Sequence, residues 1–416
     1  MNINEISGQR QFDFVSGFNY IREAGTPAEE KAALSIQEEL AKIGVESRLE
    51  KFDFETFEIK NAKLFVTAPY EKEYRVTGYG RCGNTPKEGT EAEFLYVENG
   101  DDISLSYAKD KIVMVNNPVR KDMYQKFVKA GALGFISITG TPVDEGEDLI
   151  TRTYGLPVME ETPIQGVNVH YKDAVEMGSK GASRGKILVE QETVTRTSAN
   201  VAARIEGTEK AEEILTLTAH YDSVPEGPGA YDNMAGCAII MELCRYFKEH
   251  PTGRTMEFVW FGAEEKGLVG SRNYIKAHED ELKIHQFNMN VDLAGQLVGG
   301  TVIGVTGDVS ICHMIQYLAN EIGLGMEVRN SIWGSDSNTF AWKGIPAMTL
   351  NRDGFGMHTC HDVVEYLSPW SLQRSAALLG HIAQSLGNIA TIPFTRVVPE
   401  NFIKELDGYF RPFSGK

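Results

Sequence analysis

The stretch from residue 214 to residue 236, ILTLTAHYDSVPEGPGAYDNMAG, constrains the fold more than any other part of the chain. It begins as a strand in which leucines alternate with threonines, and it continues as a loop rich in proline and glycine. A helix is expected after Asp232 and Asn233. Because open α/β sheets bind ligands at the ends of their strands, the histidine and the aspartates of this stretch lie where a binding site is expected.

From residue 197 onward, segments with strand character alternate with segments that favour helices. Strands are expected at 214–219, 256–263, 287–292 and 346–352, and the segments that follow them lie at 233–249, around 267–279, after Ser310 and at 368–386. Alternation of this kind is typical of a largely parallel sheet that is covered by helices. The sequence therefore predicts an α/β fold in which a mostly parallel sheet is flanked by helices on both faces.

A helix at residues 26–44 is marked at both ends. Thr26 is the expected N-cap, Pro27 takes the first helical position, and Glu29 completes a T-x-x-E capping box. Gly44 is expected to end the helix. A strand pattern follows directly, and this helix–strand pair is too small to fold alone. It must therefore pack against a later part of the chain.

A chain of 416 residues is longer than one core usually supports, so we expect two structural units. Residues 60–195 contain several short strand-like runs separated by glycine and charged turns, and we interpret them as an inserted, smaller α/β domain without catalytic residues. Residues 1–59 and 196–395 would together form one discontinuous catalytic domain. Residues 396–416 would be a C-terminal tail that packs on this domain or on another subunit, so a homo-oligomer is possible.

The composition is that of a globular protein, with 42% apolar residues and a formal net charge of −17. This acidic balance disfavours binding to nucleic acid or to an anionic membrane. The N-terminus lacks the pattern of a signal peptide, and no apolar run is long enough to span a bilayer. The five cysteines fit neither a disulfide framework nor a CxxC metal site, so a reducing, cytoplasmic location is expected.

Acidic and imidazole side chains follow each of the four predicted strands. They are His220, Asp222 and Asp232 after the first strand, Glu264 and Glu265 after the second, Asp292 at the end of the third, and His358 in the loop after the fourth. In a parallel sheet these strand ends open on the same edge, so the side chains can converge. Imidazoles and carboxylates in this combination are a typical ligand set for a pair of divalent metal ions.

The spacing of these residues suits a division of roles. Of the adjacent Glu264 and Glu265, one can bind a metal ion while the other takes a proton from the metal-bound water. The His-x-Asp spacing lets Asp222 reach the far nitrogen of His220 and fix its tautomer. Two simpler interpretations exist, since Asp232 could be a helix N-cap and Asp222 an ordinary turn residue.

Five segments, in this order, resemble the two-zinc exopeptidase family. They are AHYDSVPEGPGAYDNMAG, FVWFGAEEKGLVGS, VDLAG, SDSNTFAWKGIPA and HTCHD. The family includes leucyl-type aminopeptidases, glutamate carboxypeptidases and glutaminyl cyclases, and the resemblance covers residues 197–390 and the N-terminal helix. Residues 111–140 resemble the core of a protease-associated domain, which is inserted in many members of the family.

The resemblance implies a role for each site residue. His220 and Asp292 would bind one Zn²⁺, His358 and Glu265 would bind a second, Asp232 would bridge them, Glu264 would be the general base, and Asp222 would orient His220. We choose His358 over His361 because it begins the H-T-x-x-D pattern, and Asp336 is expected to line the site. A carboxylate-rich site of this kind also accepts Mn²⁺ or Co²⁺.

The function implied by the resemblance is that of a metal-dependent exopeptidase with peptide substrates. We expect an aminopeptidase, in which a hydroxide shared by the two zinc ions attacks the N-terminal peptide bond and Glu264 is the general base. A carboxypeptidase of the same family would need a cation for the terminal carboxylate, for which Arg352 is the candidate. Two further possibilities are a glutaminyl cyclase, which is an acyltransferase that works with one metal ion, and an inactive binding module, which would lack a ligand or the base.

Overall fold

The computed structural model describes residues 3–159 and 161–411, and the chain divides into two compact units. The first unit comprises Met1–Phe54 and Arg196–Phe410, and the second comprises Glu55–Thr195. From the sequence, the first domain boundary is expected after residue 59 and the second after residue 195. The interpretation of residues 60–195 as an inserted domain without catalytic residues stays a prediction.

The secondary structure of the described residues consists of helices and strands in both units. The α-helices are α1 (Gly8–Ser16), α2 (Pro27–Lys42), α3 (Asp102–Leu105), α4 (Lys121–Lys129), α5 (Tyr171–Ser179), α6 (Ala235–Glu249), α7 (Val269–Ala277), α8 (Val309–Glu321), α9 (Ser337–Trp342), α10 (Pro369–Asn388) and α11 (Glu400–Phe410). The strands are β1 (Ser47–Ala68), β2 (Lys72–Tyr74), β3 (Val76–Gly78), β4 (Thr90–Tyr96), β5 (Lys111–Asn116), β6 (Gly134–Thr139), β7 (Gln165–His170), β8 (Arg184–Ile205), β9 (Lys210–His220), β10 (Arg254–Phe261), β11 (His285–Val291), β12 (Thr301–Thr306), β13 (Glu327–Asn330) and β14 (Ala347–Arg352). Among these residues, no helix is both long and apolar enough to span a membrane.

The first unit is built on a mixed sheet with the strand order β13-β12-β14-β11-β9-β10-β8. The four central strands, β14, β11, β9 and β10, are mutually parallel. Strand β12 pairs antiparallel with β14, and β8 pairs antiparallel with β10. The predicted α/β fold with a parallel centre and helices on both faces is therefore confirmed, and antiparallel strands flank that centre.

Strand β12 is not expected from the sequence, for a reason that lies in Gly304. A glycine inside a strand weakens the strand pattern in the sequence. Here the glycine is needed, because a Cβ atom at Gly304 would lie 2.6 Å from Cε3 of Trp333. The ring of Trp333 thus leaves room only for glycine at position 304. This tertiary contact explains why β12 contains a residue that is unusual in strands.

The two faces of the central strands differ in polarity. On β9, Leu215 and Leu217 belong to the main hydrophobic core, which they share with helices α6 and α10. The alternate residue Thr218 is also buried, but its hydroxyl donates to Oδ1 of Asn290 at 2.8 Å and accepts from Nδ2 of Asn288 at 3.1 Å. Buried polar groups need such partners. The alternation of leucine and threonine thus reflects two buried faces, one apolar and one hydrogen-bonded.

The second unit contains four parallel strands in the order β4-β5-β6-β7, with β3 antiparallel to β7. Its hydrophobic core includes a group of aromatic side chains, in which the ring of Phe135 packs against the rings of Tyr79, Tyr124 and Phe127. The segment 111–140 forms β5, α4 and β6, which is the strand–helix–strand order read from the sequence. Its likeness to a protease-associated domain stays a prediction.

A buried charged cluster lies beside strands β9, β10 and β11. The carboxylate of Glu257 is fully buried and accepts from the guanidinium groups of Arg48 and Arg204, each at 2.9 Å. His285 is fully buried too, and its Nδ1 lies 2.7 Å from Oγ1 of Thr216. Because the two arginines already compensate Glu257, burial dominates and lowers the pKa of His285 to about 4.

This buried histidine should make the stability depend on pH. The pKa of His285 is about 4 in the folded chain, against an ordinary 6.5, so between these values the unfolded state binds more protons. The free energy of unfolding should therefore fall as the pH is lowered from about 6.5 to about 4, by roughly 3 kcal/mol in total. Urea unfolding across this range should show a flatter pH dependence for His285→Asn than for the wild type.

The matched control is His313→Asn, at an exposed position on α8. It should leave the pH dependence unchanged. If the free energy of unfolding depended on pH equally in the wild type and in His285→Asn, His285 would have the same pKa in the folded and the unfolded chain. That result would contradict the expectation.

Candidate metal centre

The carboxyl ends of the central strands bring the predicted site residues to one edge of the sheet. His220 is the last residue of β9, and it pairs in register with Phe261, the last residue of β10. Asp292 directly follows β11, and Glu264 and Glu265 begin a short 3₁₀ turn after β10. These strands are parallel neighbours, so residues that are far apart in the sequence converge, as the strand order requires.

Asp232 lies between the two imidazoles. Its Oδ1 is 3.1 Å from Nε2 of His220, and its Oδ2 is 3.0 Å from Nε2 of His358. The N-cap interpretation of Asp232 is wrong, because α6 begins at Ala235 and its N-cap position is occupied by Met234 without a side-chain hydrogen bond. The carboxylate instead offers one oxygen atom to each of two histidine-containing groups.

One further carboxylate completes each group. Oδ1 of Asp292 lies 3.5 Å from Nε2 of His220, and Oε1 of Glu265 lies 3.2 Å from Nε2 of His358. Within each group the potential ligand atoms all lie within 4.8 Å of one another. Each group is compact enough to hold a metal ion, and they share Asp232. His361, the competing histidine, belongs to neither of these groups.

Glu264 stands apart from both groups. Its Oε2 is 4.0 Å from Nε2 of His220, and its side chain is 12% exposed, so it reaches the site without completing either group. Burial raises the pKa of Glu264 well above its ordinary value, and the charges of Asp336 and Asp292 add to this. A carboxyl group with a raised pKa is suited to accept and return a proton near neutral pH.

The carboxylates give the site a strongly negative field. Burial alone would lower the pKa of His358, but Asp232 and Glu265 raise it to about 10. Burial would likewise lower the pKa of His220, yet its acidic neighbours, of which Glu264 acts most strongly, raise it well above the ordinary value. A field that favours a proton on each imidazole also favours a divalent cation at the same place, and the two compete.

Asp222 makes its firm contacts with the backbone after β10. Its Oδ1 accepts from N–H of Glu264 at 2.9 Å, and its Oδ2 accepts from N–H of Glu265 at 3.1 Å. Its distance to Nδ1 of His220 is 3.4 Å, and that nitrogen has no hydrogen bond among the described residues. Asp222 therefore positions the two glutamates, and its predicted role in orienting His220 stays a prediction.

Asp362 repeats this arrangement on the other side of the site. Its Oδ1 accepts from N–H of Tyr231 at 2.6 Å, and its Oδ2 accepts from N–H of Asp232 at 3.0 Å. Burial raises its pKa to about 6. Asp362 has no role predicted from the sequence, although it ends the HTCHD segment. Its position four residues after His358 suggests that it lies near the site. The sequence does not show, however, that it contacts the backbone of Asp232.

Glu29 connects α2 to the turn that carries Glu264. Thr26 caps α2 as predicted, with Oγ1 accepting from N–H of Glu29 at 3.3 Å. The Glu29 carboxylate, however, accepts from Oγ of Ser198 at 2.6 Å and from N–H of Ala263 at 3.1 Å. Ala263 has a φ of 55°, which L-residues adopt only when surrounding contacts hold them there. The expected capping residue thus stabilises a strained turn beside the site.

Arg22 holds the loop between His220 and Asp232. The side chain is fully buried, and its guanidinium donates to backbone oxygens on both sides of this loop, at Tyr221 (2.8 Å) and Gly229 (3.0 Å). A guanidinium offers five donors in a fixed fork, so one residue can fix several carbonyl groups. Nothing in the sequence around Arg22 predicts this role.

Asp336 is expected from the sequence to line the site, and that role stays a prediction. It is fully buried at the start of α9, and neither carboxylate oxygen has a hydrogen-bond partner among the described residues. Burial, reinforced by the charges of Asp292 and Asp222, raises its pKa to about 7. A buried acid without partners is costly unless a cation or a proton compensates it.

Replacing Asp362 by Asn should weaken metal binding while the chain stays folded. An amide has only one acceptor oxygen, so one of the N–H groups of Tyr231 and Asp232 would lose its partner and the shared carboxylate would shift. Loss of such a supporting contact typically lowers metal affinity by about 10- to 100-fold. Titration of metal-stripped protein with Zn²⁺ measures this, and Glu365→Gln, at an exposed position of the same loop, is the control. Equal affinities for all three proteins would contradict the role of Asp362.

Comparison with known proteins finds a family that this chain resembles. Residues 200–383 match the model of peptidase family M28. Aminopeptidase YwaD of Bacillus subtilis (strain 168) is 29% identical over 381 residues, which cover 86% of this chain and 79% of that protein. Carboxypeptidase Q of Mus musculus is 26% identical over 392 residues, which cover 87% of this chain and 82% of that protein.

Solved structures share the fold over nearly the whole chain. A zinc aminopeptidase from Bacillus subtilis has a TM-score of 0.78 and 22% identity, and the match covers 95% of this chain and 99% of that chain. An aminopeptidase from Aneurinibacillus sp. strain AM-1 has a TM-score of 0.76 and 21% identity, and the match covers 94% of this chain and 97% of that chain. The family match begins in strand β8 and ends in helix α10, so the part of the chain that contains the predicted site residues is similar to peptidase family M28.

Proposed function

We propose that this protein is a metal-dependent aminopeptidase that hydrolyses the N-terminal peptide bond of peptides with two zinc ions. The observation that carries the proposal is the position of Asp232, whose two oxygens lie 3.1 Å and 3.0 Å from the Nε2 atoms of His220 and His358. A carboxylate shared in this way is the bridge expected in a site for two metal ions. The match of residues 200–383 to the model of peptidase family M28 supports the peptidase activity.

The donor set fits divalent zinc. His220, Asp292 and Asp232 would hold one ion, and His358, Glu265 and Asp232 the other, which gives each ion nitrogen and oxygen ligands of the kind zinc accepts. The buried oxygens of Asp336 lack hydrogen-bond partners among the described residues, so positive charge nearby would offset their burial. The zinc aminopeptidase from Bacillus subtilis, which shares this fold, also supports zinc here.

The proposed mechanism relies on Glu264 for proton transfer. Zinc, when bound, makes a water molecule more acidic and polarises the carbonyl group of the substrate. Glu264 would take a proton from the attacking water and return it to the nitrogen of the leaving amine as the C–N bond breaks. Asp222 fixes the backbone at Glu264 and Glu265, so the base and the adjacent ligand keep a constant spacing. The carboxylates of the site would accept hydrogen bonds from the free α-amino group of the peptide.

Arg352 distinguishes this proposal from a carboxypeptidase. A carboxypeptidase needs a cation that is open to the terminal carboxylate of its substrate. The guanidinium of Arg352 donates instead to the backbone oxygens of Gln296 (2.6 Å) and Leu297 (2.8 Å) and to Oγ1 of Thr301 (3.2 Å), and the residue is 8% exposed. Its donors are directed at the protein, which favours an aminopeptidase.

A glutaminyl cyclase and an inactive binding module are weaker candidates. A glutaminyl cyclase would work with one metal ion, whereas two ligand groups meet at Asp232. An inactive binding module would lack a ligand or the base, whereas the sequence contains every residue predicted for these roles. The predicted site residues also lie outside Glu55–Thr195, in line with a non-catalytic role for that unit.

Replacing Glu264 by Gln should lower kcat by about 10²- to 10⁴-fold without changing the metal content, because the amide cannot accept the proton. Peptide hydrolysis and plasma mass spectrometry of the purified protein measure the two quantities. The exposed Glu279→Gln is the matched control and should retain full activity. Loss of metal in Glu264→Gln would reassign Glu264 as a ligand.

A peptide panel tests the activity itself. Metal-stripped protein should release free amino acid from unblocked and carboxy-blocked peptides only after Zn²⁺, Mn²⁺ or Co²⁺ is added, and amino-blocked peptides should resist. Zinc titration of the restored activity should saturate at two ions per chain. Cleavage that fails only with a blocked carboxylate would contradict the proposal and indicate a carboxypeptidase.

A further inference from the structure

A cavity of about 300 Å³ lies among helices α1, α2 and α6, all of which belong to the first unit. Its lining includes Arg10, Gln11 and Phe14 on α1, Glu39 on α2, and Met241 and Arg245 on α6. None of the predicted metal-centre residues is among the lining residues that the structure describes. The volume is about ten times that of one water molecule and lies at the lower end of the range for small-ligand pockets. The cavity is therefore large enough for a small organic molecule.

Two ion pairs border this cavity and connect its helices. The buried carboxylate of Glu242 accepts from Nε of Arg10 at 3.1 Å and from N–H of Ser7 at 2.6 Å. On the other side, Oε1 of Glu39 accepts from Nη2 of Arg245 at 2.8 Å. The lining thus carries charges of both signs that largely compensate each other. Such a lining favours neither a simple anion nor a simple cation.

Two buried polar atoms of the lining have no hydrogen-bond partner among the described residues. One is Oε1 of Gln11, a residue that is 1% exposed and whose Nε2 donates to the backbone oxygen of Ser7 at 3.1 Å. The other is Nε of Arg245, which lies 3.8 Å from Oε2 of Glu242, too far for a hydrogen bond. Buried polar atoms without partners cost free energy. A ligand that accepts from Arg245 and donates to Gln11 would remove this cost.

Apolar side chains complete the lining, namely those of Phe14, Ala238 and Met241. A matching ligand therefore combines an acceptor, a donor and an apolar group in one small molecule. A free α-amino acid has this combination, because its carboxylate accepts, its ammonium group donates and its side chain can be apolar. Since it carries both charges, it also suits a lining of both signs.

We propose that this cavity is a second binding site, separate from the metal centre, for a free amino acid with an apolar side chain. The carboxylate of the ligand accepts from Nε of Arg245, its ammonium group donates to Oε1 of Gln11, and its side chain contacts Phe14 and Met241. Hydrogen bonds to charged groups of this kind are stronger than those between neutral groups. An amino acid is also what the proposed aminopeptidase releases, and in identifying the ligand with that product the inference rests on the proposed function.

Methyl NMR of the zinc-loaded protein with isotopically labelled methionine observes this site directly, because Met241 lines the cavity and is 3% exposed. Its signal is identified by its loss in Met241→Leu. L-Leucine should shift the Met241 signal until the site is saturated. Leucinamide lacks the carboxylate and isocaproate lacks the ammonium group, so each should bind about 10- to 100-fold more weakly than leucine.

The variant Arg245→Lys tests the proposed donor, because lysine can still pair with Glu39 but has no Nε–H group. The affinity for leucine, measured from the Met241 signal, should fall by about 10- to 100-fold. The matched control is Arg329→Lys on β13, where the arginine also pairs with a glutamate, Glu327, and its side chain is 51% exposed. This control should bind leucine with the affinity of the wild type.

A wild-type Met241 signal that does not respond to leucine would overturn the inference. Equal affinities for leucine in the wild type and in Arg245→Lys would overturn it too, as would equal affinities of the wild type for leucine, leucinamide and isocaproate. Peptide cleavage by the wild type tests the proposed function separately, since the Met241 signal reports binding whether or not peptides are hydrolysed.

Discussion

The shared carboxylate of Asp232 is the contact on which the rest of the site depends. Both oxygens of the Asp232 carboxylate lie next to imidazoles, so the carboxylate cannot also hydrogen-bond to the surrounding backbone. Other side chains must therefore hold the backbone of Asp232 in position. Asp362 provides this by accepting from two consecutive N–H groups, and Arg22 holds the preceding loop by its carbonyl oxygens. Precise placement of ligands therefore comes from buried side chains that contact the backbone around them.

The same device recurs after strand β10. Asp222 accepts from the N–H groups of Glu264 and Glu265, and Glu29 accepts from that of Ala263. Ala263 and His358 both have a positive φ, a conformation that costs free energy and persists only where the surroundings impose it. Buried acids and strained turns both destabilise the fold, and they are retained where the chemistry needs fixed geometry.

The sheet explains how such a polar site fits into a hydrophobic protein. Strands β9, β11 and β14 give apolar residues to the core with α6 and α10, and threonines or asparagines to a hydrogen-bonded face. His220 and Asp292 continue that polar face at the strand ends, so the site extends a polar layer that already exists beneath it. The apolar face supplies burial, which stabilises the fold, and leaves the other face free for ligands.

The sequence by itself determined the order of the four central strands, their parallel arrangement, and which acids and histidines follow them, because these depend on local pattern and on short spacings. It also named Asp232, Glu264 and their partners as candidates. Tertiary structure alone decided what Glu29 and Asp362 contact, and it directed the guanidinium of Arg352 to backbone oxygens. Those roles arise between residues hundreds of positions apart or on separate helices, and no local pattern encodes a contact that forms only when distant segments pack together.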